Sequence, residues 1–106
     1  MPARKESSIQ TSIIRFLRGL GAYVVNHHGG LYSAAGVPDI LACVNGRAVY
    51  IEVKRDGGEL SVLQEQHLLR IKKAGGLAIV ARSVAEVQQA LADAGLTKGD
   101  GIGEQS

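Results

Sequence analysis

Asn45-Gly46 stands between two apolar, β-branched runs, Asp39 to Val44 and Arg47 to Lys54, and no other feature constrains this chain as tightly. A two-residue type I′ hairpin turn needs φ > 0 at both central positions, which Asn and Gly adopt most readily. Such a turn sets Val44 opposite Arg47, and every cross-strand pair then sums to the same total. Cys43 faces Ala48, Leu41 faces Tyr50, and Asp39 faces Glu52. Directly opposed Cβ atoms lie about 4.5–5.5 Å apart on one face. Lys54, two residues beyond Glu52, returns to that face by strand alternation, opposite Val37, which stands just before Pro38 at the strand entry. Two carboxylates and a lysine should therefore meet at the open end of a hairpin.

Like charges set directly opposite one another destabilise a sheet unless something positive lies between them. A hard divalent cation, Mg²⁺ or Mn²⁺, suits two carboxylates and keeps waters that a phosphate can displace. The lysine beside it can orient a water or stabilise charge on phosphoryl oxygens. The plainer alternative makes Asp39 a turn residue after Pro38, with Glu52 and Lys54 on a solvated strand face. The pairing register favours the metal site.

The remaining chain supplies a scaffold for such a hairpin. Ile9, Ile13, Phe16, Leu17 and Leu20 predict a helix from Lys5 to Leu20, stopped by Gly19 and Gly21. Ala22 to Asn26 reads as a strand, and His27 to Gly36 as a loop. Ser61 to Ala74 is a helix closed by Gly75-Gly76, Leu77 to Ala81 a buried strand, and Ser83 to Ala94 a helix with Ser83 and Glu86 as capping box. The order α-β-β-β-α-β-α implies a mixed α/β domain with helices packed on the sheet. Residues 1–94 are expected to form one domain, with a disordered glycine-rich tail over 95–106.

Composition narrows the function classes. With one Phe, three Tyr and no Trp, the chain lacks the ladder of stacking aromatics common in single-strand binders. A net charge of +2 permits nucleic-acid contact without demanding it. The single Cys43 excludes an internal disulfide framework, and a thiolate zinc site needs more cysteines. No apolar run approaches a membrane span, and the N-terminus has no signal-like segment, so a soluble cytoplasmic protein is expected.

Gly36-Val37-Pro38-Asp39, twelve residues, then Glu52-Val53-Lys54 resembles the PD-(D/E)xK nuclease signature. The helix carrying Glu6, the Gly-Val-Pro-Asp-Ile strand, the Asn-Gly hairpin, Ile-Glu-Val-Lys, and Leu60-Ser61-Val-Leu-Gln64 are similar to the virus-type replication-repair nuclease (VRR-NUC) family over roughly residues 5 to 90. The resemblance implies a restriction-endonuclease-like core and phosphodiester hydrolysis. It also implies metal ligation by Asp39, Glu52 and the Val53 carbonyl, with Lys54 acting on the attacking water. Glu6 and Gln64 match an acid and a supporting glutamine at the family site. Stand-alone relatives are dimers that cut branched DNA such as four-way (Holliday) junctions. Where relatives often carry Pro-Glu, this chain has Val62-Leu63, a departure that touches no ligand.

Several residues carry two readings at this stage. Gln64 completes a Ser61-x-x-Gln capping box yet shares a helical stripe with Leu68 and Ile71. Glu6 is an acid favoured in a helix's first turn, but it borders the Ile9–Ile13–Phe16 stripe. His27 and His28 could contact phosphate or sit idle at a strand end, and Gly29, Gly30 and Gly36 could admit DNA backbone or simply build a loop. Arg55, Arg70, Lys72 and Lys73 are candidate phosphate contacts or a solvated face, and Cys43 is simplest as a small core residue. The expectation is a Mg²⁺- or Mn²⁺-dependent endodeoxyribonuclease acting as a homodimer on branched DNA, since two cuts need two sites. The alternative is a non-catalytic nucleic-acid-binding module on the same scaffold, against which the intact acid–acid–lysine set argues.

Overall fold

The computed structural model describes residues 4–27 and 35–98. The elements follow the expected order: α1 (Glu6–Gly19), β1 (Tyr23–Asn26), β2 (Ile40–Val44), β3 (Arg47–Val53), α2 (Val62–Lys73), β4 (Leu77–Ala81) and α3 (Val84–Asp93). The strands form one sheet in the order β1-β2-β3-β4. The first two pairings are antiparallel and the β3–β4 pairing is parallel, with α2 as crossover. Among the described residues, no helix is long and apolar enough to cross a membrane.

The turn has the conformation its residues dictate, with φ of 47° at Asn45 and 86° at Gly46. Val44 pairs with Arg47, and the register runs unbroken to Ile40 opposite Ile51. Alternation then divides the sheet into two faces. Ile40, Ala42, Val44, Val49, Ile51, Val53, Ile79 and Ala81 face Ile9, Ile13 and Leu17 of α1 and Val87 and Leu91 of α3, forming an aliphatic core. The opposite face is covered only in part. Helix α2 packs on β3 and β4 and buries Leu68, leaving Tyr23 72% exposed on β1. Cys43 also lies on this open side, exposed, and is not the core residue its size suggested.

Three local details differ from expectation. Helix α1 includes Gly19, and Gly21 makes the stop. All three helices close alike, an N–H just past the end returning to a carbonyl five residues back: Ala22 to Leu17, Gly76 to Ile71, Leu96 to Leu91. At α3 the Ser83 hydroxyl accepts from the Glu86 N–H at 3.2 Å, but the Glu86 carboxylate reaches past Ser83 to the Arg82 N–H at 2.7 Å. The tail is ordered at its start. Leu96 packs against the core, and its carbonyl accepts from Asn45 Nδ2 at 2.6 Å, tying the chain end to the hairpin turn. Residues 99–106 lie outside the described residues.

Candidate active site

The open end of the hairpin is built by an interruption. One step beyond Ile40–Ile51 the register sets Asp39 opposite Glu52, and the next step would set Pro38 opposite Val53. Proline has no N–H to donate, so the ladder cannot continue there. Pro38 is fully buried, and the Val53 N–H is taken instead by Asp39 Oδ2 at 2.9 Å. The Asp39 carbonyl accepts from the His27 N–H at 2.7 Å, fixing the same residue to β1. One acid thus replaces a ladder rung on one side and extends the β1–β2 ladder on the other.

Glu52 lies on the face under α2, only 3% exposed. Its Oε2 accepts from Gln64 Nε2 at 3.0 Å and lies 3.7 Å from Lys54 Nζ. Among the described residues, its Oε1 is buried without a hydrogen-bond partner. Such an atom is costly to leave unsatisfied and normally has an explanation in an ion, a water or a proton. Burial first, and then the charge of Asp39, push the Glu52 carboxyl up to about 7, against the pull of the Lys54 ammonium; a weaker repulsion from Glu6 raises it further.

Gln64 settles its two readings by adopting both. Its Oε1 accepts from the Ser61 N–H at 2.9 Å and its N–H donates to Ser61 Oγ at 3.1 Å, completing the capping box. The other end of the same amide holds Glu52. Glu6 stands half-buried in the first turn of α1, near enough to raise the Glu52 carboxyl. Among the described residues, no three His, Cys, Asp or Glu side chains gather closely enough to hold a metal. Asp39 and Glu52 therefore offer a two-carboxylate set that would need a carbonyl and waters to complete it. That donor chemistry suits Mg²⁺ or Mn²⁺ and not zinc. The Val53 carbonyl fits as the third donor, because the strand position facing it is occupied by a proline without an N–H.

The other candidates scatter. Arg55 is exposed one residue past Lys54, and its carbonyl accepts from the Gly58 N–H in a turn. Lys72 lies on the flank of α2 shared with Leu60, Glu65 and Val80, and both Lys72 and Lys73 are exposed. His28, Gly29 and Gly30 lie outside the described residues. Gly36 has a packing role: at φ +83° it presses on α2, and a Cβ there would lie 3.0 Å from both Leu63 Cγ and His67 Cδ2. His67, unnoticed in the sequence, stands one turn beyond Gln64 on that side; its spacing from Gln64 was the available signal.

No protein-family profile matches the chain, and no curated protein is similar to it. Solved structures share its fold, two of them as follows. One, described as a VRR_NUC domain, superposes with a TM-score of 0.69 at 23% identity, covering 83% of this chain and 94% of its own. The other, a VRR_NUC domain protein, gives 0.67 at 23% identity, covering 85% and 90%. The fold is that of a VRR_NUC domain.

Proposed function

We propose that this protein is a metal-dependent endodeoxyribonuclease of the VRR-NUC type, with Asp39, Glu52 and Lys54 at its centre. The observation that carries the reading is the buried, unpartnered Oε1 of Glu52, opposite Asp39 and beside an ammonium 3.7 Å from the other oxygen. A solvated strand face would leave neither oxygen buried. Asp39, Glu52 and the Val53 carbonyl would hold Mg²⁺ or Mn²⁺, which supplies Lewis acidity toward a phosphoryl oxygen and a more acidic water.

The chain's own residues do the remaining work. Gln64 holds Glu52 Oε2 and so steadies the carboxylate whose Oε1 would meet the ion. Lys54, with its side chain 12% exposed, is sheltered enough to hold the attacking water and to stabilise charge building on the phosphoryl oxygens. Water adds to phosphorus and gives up a proton to solvent as the ester P–O bond breaks, and the departing oxygen takes up a proton from solvent in turn. Glu6, at the margin, adds negative charge that favours a cation. DNA is the proposed substrate, branched forms in particular, with a homodimer supplying two such sites.

The test is a panel of labelled four-way, flap and linear duplex DNA, with and without Mg²⁺ or Mn²⁺, run beside Glu52→Ala and a solution mass. Metal-dependent cutting that Glu52→Ala abolishes is expected. Salt-dependent binding with no cleavage of any substrate would make the chain a binding module instead.

A further inference from the structure

Aromatic residues are few in this chain, yet two ring-bearing side chains meet beside the candidate site. Tyr50 precedes Glu52 by two residues on the same face of β3, about 7 Å along the strand. His67 follows Gln64 by one turn of α2. With Ala48, Arg70 and Ile71 they line a groove of about 330 Å³ between strand and helix. The segment leading to Asp39 packs against one member of this lining, since Gly36 lies against the His67 ring. The groove is mainly apolar, contains no acid, and carries the exposed Arg70.

We propose that this groove receives the nucleotide next to the scissile phosphate, its base against Tyr50 and His67 and a flanking phosphate at Arg70. The proposal rests on the nuclease reading and adds to it where the strand runs. Continuity argues for this occupant, because the groove continues along β3 and α2 from the residues that would grip the phosphodiester. Charge argues for it too: a guanidinium matches phosphate geometry, and every base presents a face to stack on a flat side chain. An apolar peptide would gain nothing from Arg70. Composition excludes a ladder of stacked bases, but a single stacking step needs only this pair.

Substrates carrying one abasic position, stepped through the nucleotides flanking the cut, provide the test with wild type, His67→Ala, Tyr50→Leu and Arg70→Gln. One abasic position should raise the wild-type KM roughly five- to a hundredfold. In His67→Ala or Tyr50→Leu the same position should add little, because the stacking partner is already gone. Arg70→Gln should raise KM more than it lowers kcat, and reduce the slope of log affinity against log salt by about one. Thermal melts establish that each variant is folded, and Tyr50→Leu keeps apolar volume if His67→Ala does not fold. Abasic and protein effects that simply add, or an Arg70→Gln salt slope equal to wild type, would overturn the groove while leaving the nuclease intact. A wild type that cuts nothing overturns both.

Discussion

The two ends of the β2–β3 hairpin are built on opposite terms. At the turn end every local preference agrees: Asn45 and Gly46 take positive φ, Val44 pairs with Arg47, and Asn45 ties down Leu96. At the open end the preferences conflict. A proline halts the ladder, a carboxylate takes an amide that a strand should have bonded, and a second carboxylate is buried facing it with one oxygen unpartnered. A chain that meets every demand at one end and violates several at the other marks the second as its candidate site.

Glu52→Gln attacks the open end most directly. Cleavage should fall by about a hundred- to a thousandfold while the circular dichroism spectrum is preserved. A variant that still cuts would remove the asymmetry between the ends.

The next effect is on stability. The carboxyl of Glu52 is raised from 4.5 to about 7 on folding, so the folded state binds that proton more tightly than the unfolded chain does. Stability from this group is fully present below about pH 4.5 and lost as pH rises through about 7, a change of ~3 kcal/mol in the metal-free protein. Urea midpoints at pH 5 and pH 8 should differ accordingly, and Glu52→Gln should erase most of the difference. If the variant and wild type show the same pH dependence, the conflict at the open end is weaker than its geometry indicates.

Binding of the proposed metal would reverse the sign of that penalty. The ion must displace the proton, so calorimetric Mn²⁺ affinity should climb by up to about tenfold per pH unit to about pH 7 and then level off. Affinity independent of pH in this range would mean that the ion does not engage Glu52. The smallest effect belongs to the turn. Gly46→Ala forces a Cβ into a positive-φ position and should cost about 1–2 kcal/mol by denaturant unfolding, with the cleavage rate of the folded protein unchanged.

The same contrast explains what the sequence could reveal. The register was legible because Asn-Gly dictates a turn type and the turn dictates all pairs up to Ile40–Ile51. The convergence of Asp39, Glu52 and Lys54 followed from counting along those strands. What counting could not reach was the way the hairpin ends at Pro38: the Val53 N–H donates to the Asp39 carboxylate and not to a strand carbonyl, a three-dimensional substitution with no periodic signature. Gln64 looked like a choice between cap and site because a sequence pattern assigns a side chain one partner, whereas an amide has two ends. The groove beside His67 was invisible for a related reason. It forms only where β3 and α2, joined by the crossover and not by periodicity, lie side by side.

That double use of Gln64 has a further consequence. The first turn of a helix is where fraying begins, and here the side chain that closes the turn is also the one that steadies Glu52. Warming that loosens only this turn would release the carboxylate well before the sheet gives way. The protein should then lose its aim while still folded, with the temperature of peak cutting set by the start of one helix and not by the melting of the core.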